Sequence, residues 1–325
     1  MDSRLVALEQ WLRARFPDAP FALAPASEDA SFRRYLRATL GEGRSFIAMD
    51  APPDKEDCRP FLHVAAEFAA AGVHVPKVHA QDLDQGFLLL EDLGDTTYLS
   101  RLAPASAAVL YAPATDALAK IQLASRPGVL PEYDRALLER ELQLFPDWYL
   151  ARELRFEAGA EDKRVLRSAF EAILANNLAQ PRVFVHRDYH SRNLMVSEPM
   201  PGILDFQDAV YGPITYDLVS LFRDAYIAWE EEQVIDQVVR YWEKARKAGL
   251  PVRADFGEFY RDFEWMGVQR QLKVVGIFAR LCHRDGKRRY LDDIPRVLGY
   301  LRAACGRYRE LAALAALLER LEAAR

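Results

Sequence analysis

Three cysteines, Cys58, Cys282 and Cys305, are too few and too widely spaced for a disulfide framework or a zinc-binding pair, and they read as small buried hydrophobes in a reducing compartment. No apolar run approaches the roughly 18 residues that cross a bilayer. The opening MDSRLVALEQWLRARF lacks the basic start and apolar block of a secretory signal, which predicts a cytoplasmic protein. Basic and acidic residues are interspersed, with a net charge of -5, so no Lys/Arg block offers a surface to nucleic acid or to an anionic membrane. Internal repeats and low-complexity tracts are also missing, and the Ala/Leu-biased LAALAALLERL near the end reads as a packed helix.

What is present is enough apolar material for two lobes: 325 residues, half of them hydrophobic. Leu5, Leu8 and Leu12 form a helical stripe over residues 3–16. FALAPA, FRRYLRATL, RSFIAMDAP and GFLLLEDLG then alternate or cluster as short strands between Gly, Pro and Asp. A helix interrupts them, with Pro60 near its start, Phe61, Val64 and Phe68 as its stripe, and Gly72 as its stop. From about Leu102 the pattern is helical, near 104–124, 134–156, 161–178, 217–248, 256–283, 288–304 and 307–323, broken only by the strand-like VFV, NLMV and GILDF. The expected fold is therefore α+β: a β-rich lobe over 1–93 and a larger helical lobe over 94–325, joined near Leu90 to Gly94.

The chemistry concentrates in VFVHRDYHSRNLMV, Val183 to Val196, where chargeable side chains are held between apolar triplets. His186-Arg187-Asp188 followed by Asn193 is the H-R-D-x-x-x-x-N pattern of a kinase catalytic loop, and Asp205 follows in ILDF. In that pattern Asp188 orients an attacking hydroxyl, while Asn193 and Asp205 are oxygen ligands suited to Mg²⁺. A polar hairpin whose Asp and Asn only make turns does not explain this set at these offsets. His186 reads as a brace of the loop.

With these residues the chain resembles the aminoglycoside phosphotransferase and choline kinase-like superfamily, small-molecule relatives of the protein kinases. YGPITYDLVSLF matches the family's G-x-x-x-x-D-L segment through Gly212, Asp217 and Leu218. The resemblance implies a two-lobed protein-kinase-like fold, ATP and Mg²⁺ as cofactors, and support of the catalytic loop by Asp217 from a helix N-terminus, where a plain capping role is also compatible. Eleven residues separate Asp205 from Asp217, too few for the activation and peptide-binding segment of a protein kinase, so the acceptor should be a small molecule.

Within the superfamily, HRDYHSRNLM, MDAPPDKEDCRPF and LLLEDLGD resemble the bacterial anomeric amino-sugar kinases, which act on the C1 hydroxyl of N-acetylmuramate and N-acetylglucosamine in cell-wall recycling. The resemblance makes Arg187, His190 and Arg192 candidates for sugar contacts, and an Arg could grip the lactyl carboxylate of N-acetylmuramate by a forked pair of hydrogen bonds. A structural bridge to a nearby carboxylate or carbonyl is equally open for either Arg. No obligate protein partner is implied.

The N-terminal lobe departs from the kinase pattern. SEDASFRRY stands in place of a G-x-G-x-x-G loop, so Ser31, Arg33 and Arg34 become the candidate phosphate contacts. Met49 occupies the usual place of the strand Lys, leaving Glu67 without its customary partner and Arg33, Arg34 or Lys55 to supply the charge. Backbone groups from Glu91 to Leu93 are expected to hold adenine. Met49 also keeps a nucleotide-binding pseudokinase open, beside kinases of aminoglycosides, homoserine or related alcohols and amines.

Overall fold

The computed structural model describes residues 2–27 and 32–323. They form two compact units, one made of the N-terminal stretch to Arg101 together with Leu194–Asp208, the other of Leu102–Asn193 and Ala209 onward.

The first unit is built on a five-stranded antiparallel sheet in the order β1-β2-β3-β5-β4: β1 Phe21–Ser27, β2 Arg34–Leu40, β3 Ser45–Asp50, β4 Val78–Asp82 and β5 Phe87–Glu91. Its side chains alternate with the period of two that a pleat imposes. Ala38, Ala48, Phe87 and Leu89 share one face and pack on Leu8, Trp11 and Leu12 of helix α1, Ser3–Arg13. Each fully buried Leu there contributes roughly 1.5–3 kcal/mol. Asp2 caps α1 by accepting the amides of Arg4 and Leu5.

Helix α2, Arg59–Ala70, carries Pro60 in its first turn and presents Phe61 and Phe68 to Phe206, with ring centroids 4.8 and 6.0 Å apart. A short helix α3, Tyr98–Arg101, follows β5. The hairpin of β7, Leu194–Met195, and β8, Gly202–Ile203, is fastened to this unit by main-chain bonds: the Ile203 amide to the His74 carbonyl at 2.8 Å and the Val196 amide to that of Thr96 at 2.8 Å. The hairpin packs closely at Gly202, where a Cβ would lie 2.7 Å from a Leu93 methyl and would force that side chain to shift.

The second unit is helical: α4 Ala107–Leu123, α5 Arg135–Leu144, α6 Ala160–Ala179, α7 Tyr216–Phe222, α8 Glu231–Lys247, α9 Phe256–Asp285, α10 Ile294–Arg307 and α11 Ala312–Ala323. The helix expected over 134–156 ends as α at Leu144 and continues through Phe145–Glu153 as a π-helix. The stretch expected as one helix over 217–248 is two. The chain leaves the helix at Arg223 because the buried Asp224 accepts the amides of Tyr226 and Ser191, both at 2.8 Å, and bends the backbone around its carboxylate. A two-stranded ladder of β6, Arg182–Val185, and β9, Val210–Pro213, brings the HRD segment to the N-terminus of α7. Between Asp262 and Gly276 every residue of α9 is buried, which makes it the axis of the unit. Among the described residues no helix is long and apolar enough to cross a membrane.

Candidate active site

The loop after β6 is held from below by one carboxylate. Asp217, in the first turn of α7, accepts the amides of His186 at 2.6 Å and Arg187 at 3.0 Å. Arg187 adopts a left-handed backbone, φ 77°, a conformation that an L-residue keeps only when its surroundings enforce it. Burial pushes the Asp217 carboxyl up to about 7, against the pull of the two amides. His186 is buried, and its Nδ1 accepts the amide of Asp188 at 3.2 Å, the bracing role expected for it.

Further round the loop, Asn193 Nδ2 donates to the Asp188 carbonyl at 3.0 Å, while its own amide donates to the His190 carbonyl at 2.9 Å. Burial works against a charge on Asp188, yet Lys273, His190, Arg270 and Arg187 outweigh it and hold the carboxyl down at about 2. Asp188 is therefore a carboxylate at neutral pH, an acceptor for a hydroxyl proton. His190 is held below the usual imidazole range by burial, and its ring stands edge-on to Tyr226 at 5.3 Å.

Two of the expected sugar contacts are already engaged. Arg187 pairs with Glu141 of α5 at 2.5 Å, and the same carboxylate takes Lys273 of α9 at 3.0 Å, Gln269 Nε2 at 3.0 Å and the Tyr133 hydroxyl. Burial opposes the Glu141 charge, but Lys273 and Arg187 pull its carboxyl below the usual range. Gly212 makes room for Tyr133, since a Cβ would sit 2.6 Å from that of Tyr133. Arg192 is exposed and lies over the Tyr226 ring at 3.6 Å, a cation–π stack. Glu141, Lys273 and Arg270 were not singled out in the sequence. Arg270 and Lys273 are marked there only by the polar run QRQLK between apolar residues, and Glu141 by nothing in its own segment.

In the first unit, Asp205 also has a left-handed backbone, φ 61°, and accepts Gln207 Nε2 at 2.7 Å. Arg33 is largely buried, 3.4 Å from Glu56. Burial works against its charge, and Tyr35, Glu56 and Asp205 together hold it above the usual range. Arg34 points elsewhere. With Arg4 it clamps the fully buried Asp50, the two Nε atoms lying 3.0 and 2.8 Å from the carboxylate, and it also pairs with Asp2. Met49 is buried in the sheet, paired with Tyr35 and Leu88, and supplies no charge. Lys55 stacks over Phe32 at 4.7 Å. Glu67 is half-buried on α2. At the connector, Arg37 fixes Asp92 at 2.6 and 3.0 Å and the Gly94 carbonyl at 2.9 Å, while Leu93 is buried and Glu91 accepts the Lys77 amide at 3.1 Å. Ser31 lies outside the described residues.

A buried carboxylate kept ionised on a loop braced by a helix N-terminus, following a β-rich unit, is the arrangement of a phosphotransferase. The sequence model of the phosphotransferase enzyme family matches residues 22–256, and the chain belongs to that family. Among curated proteins it is 53% identical over 330 residues to the N-acetylmuramate/N-acetylglucosamine kinase of Pseudomonas aeruginosa, covering 98% of this chain and 97% of that one. It is 52% identical over 322 residues to the protein of that name from Neisseria meningitidis, covering 98% and 96%. Among solved structures, choline kinase LicA from Streptococcus pneumoniae superposes with a TM-score of 0.65 at 12% identity, over 93% of this chain and 100% of that chain, which establishes the kinase-like fold.

Proposed function

We propose that the protein is a cytoplasmic ATP-dependent kinase that phosphorylates the anomeric C1 hydroxyl of N-acetylmuramate and N-acetylglucosamine in the recycling of cell-wall sugars. The observation that carries the reading is the identity of 53% and 52% with kinases named for those two sugars, extending over nearly the whole of each chain. Asp188 supports it physically. Held ionised by Lys273, Arg270 and Arg187 against its own burial, it accepts a hydrogen bond from the sugar hydroxyl and aligns that oxygen for attack. Because phosphoryl transfer passes through a loose transition state, this alignment matters as much as removal of the proton. Asp217 keeps the loop in register through the amides of His186 and Arg187.

Asn193 and Asp205 offer an amide oxygen and a carboxylate, a hard-oxygen donor pair that fits Mg²⁺. The metal, when bound, neutralises charge between the β and γ phosphates. Arg33 is the residue we assign to the nucleotide phosphates in place of a strand Lys, and the Glu91 to Leu93 main chain to adenine.

The test is magnesium-dependent ATP turnover with a panel of sugars, aminoglycosides and homoserine, followed by phosphorus NMR of the product. Coupling of the phosphorus to the anomeric proton is expected with both N-acetylated sugars. A phosphate on another oxygen, or turnover confined to other acceptors, overturns the assignment.

A further inference from the structure

Three cations of the helical unit contribute to holding Asp188 ionised: Lys273, Arg270 and Arg187. Two of them share one counter-charge, since Arg187 and Lys273 both pair with Glu141, at 2.5 and 3.0 Å. Lys273 also donates to the Tyr216 hydroxyl at 2.9 Å. Arg270 is different. It is 3% exposed, its Nε is buried without an acceptor, and no hydrogen bond or ion pair among the described residues involves its guanidinium. The other carboxylates packed around the loop are committed: Asp217 to the amides of His186 and Arg187, Asp224 to those of Ser191 and Tyr226.

A guanidinium buried without hydrogen-bond acceptors is a costly arrangement even with the Asp188 charge nearby, and it persists where a ligand completes it. Arg270 stands three residues before Lys273 on α9, a spacing that puts both on one helical face, and Lys273 pairs with Glu141, the partner of Arg187 in the catalytic loop. The two sugars of the proposed reaction differ in one charged group, the lactyl carboxylate on O3 of N-acetylmuramate, and a planar guanidinium matches a carboxylate with two parallel hydrogen bonds.

Resting on that reading of the substrate, we infer that Arg270 is the specificity determinant that binds the lactyl carboxylate of N-acetylmuramate. Arg187, committed to Glu141, then serves to fix α5 and α9 around the loop, and Arg192 lines the exposed rim. N-acetylglucosamine offers Arg270 no carboxylate of its own, so it should bind more weakly while being phosphorylated by the same machinery.

The experiment compares the parent enzyme with Arg270→Gln and Arg270→Lys on N-acetylmuramate, its methyl ester and N-acetylglucosamine, with thermal melts to check folding. In the parent, esterification should lower kcat/KM at least tenfold. Arg270→Gln should lose at least tenfold more on the free acid than on the ester and on N-acetylglucosamine, chiefly through KM, on top of a loss common to all three because Arg270 also helps to hold Asp188 ionised, so that acid and ester become nearly equal substrates. Arg270→Lys, which keeps the charge without the fork, should fall between. Equal losses on all three substrates in a folded variant would overturn the inference, placing Arg270 in phosphoryl transfer or in the scaffold. Should Arg270→Gln not fold, a parent enzyme indifferent to esterification overturns it without any variant. A parent that phosphorylates N-acetylglucosamine but not N-acetylmuramate sinks this inference and leaves the sugar-kinase reading standing, whereas a parent inactive on both sinks that reading itself.

Discussion

Asp217 holds Arg187 in its left-handed backbone by accepting the Arg187 amide at 3.0 Å while accepting that of His186 at 2.6 Å. One carboxylate from α7 thus sets the direction of the chain immediately before Asp188. The cost of this arrangement is the burial of a carboxylate among groups that do not neutralise it.

That cost makes the first prediction a pH dependence of stability. The Asp217 carboxyl keeps its proton to about pH 7 in the folded chain, and to about pH 4 in the unfolded one. Between these values the folded state binds the extra proton, so this contribution is fully present below about pH 4 and is lost as pH rises to about 7. A loss of about 1–4 kcal/mol across that window is expected from this group. Urea midpoints at pH 5 and pH 7.5 should differ by less in Asp217→Asn than in the parent, whatever the baseline stability of the variant. An unchanged pH slope would remove Asp217 as its source.

Asp188→Asn should lower kcat by about 10²- to 10⁴-fold while nucleotide and sugar still bind, because the amide cannot accept the hydroxyl proton. Calorimetric titration of both ligands, alongside single-turnover rates, checks this. Parent-like turnover in the variant would take Asp188 out of the mechanism.

For the magnesium ligands, Asp205→Ala should abolish turnover, and Asn193→Ala should raise the half-saturating magnesium concentration and lower kcat. Asn193 also bonds the Asp188 carbonyl, so its replacement is expected to loosen the loop as well. Magnesium titrations that superpose on the parent's in both variants would refute the pair.

Arg33 and Arg34 are neighbours with opposite expected phenotypes. Arg34→Ala leaves the buried Asp50 with Arg4 as its remaining clamp and should cost about 1–3 kcal/mol of stability with little change in the KM for ATP. Arg33→Ala should raise the KM for ATP equally with every sugar and leave the melting temperature nearly unchanged. Measuring melts and ATP saturation on both variants separates the roles, and a reversed pattern would exchange them.

This contrast also marks where the sequence stops being informative. The HRDYHSRN motif, the strand punctuation and the change to helical periodicity at Leu102 announce a kinase-like architecture, because each is a local pattern. Which of two adjacent arginines faces a carboxylate is decided by the pleat, and Arg34 is opposite Asp50 only through the register of β2 on β3. The break in the stretch 217–248 has the same origin: Asp224 bends the chain to reach the Ser191 amide, 33 residues upstream. Glu141, Arg187 and Lys273 come together from α5, the catalytic loop and α9, and nothing in any one segment records that meeting. Arg270 stands in the sequence only as one charge among many along α9.

The membership of Leu194–Asp208 in the first unit has a consequence for how the chain matures during synthesis. The polypeptide leaves that unit after Arg101 and returns to it only after Asn193, so a ribosome that has released the whole five-stranded sheet still withholds the hairpin that binds His74 and the Phe206 ring that covers Phe61 and Phe68. Most of the α2 surface awaiting Phe206 therefore stays uncovered while more than 90 further residues are translated. A gene split at the boundary after Arg101 yields an N-terminal fragment without its own Asp205, and neither half can be dissected out as a contiguous piece.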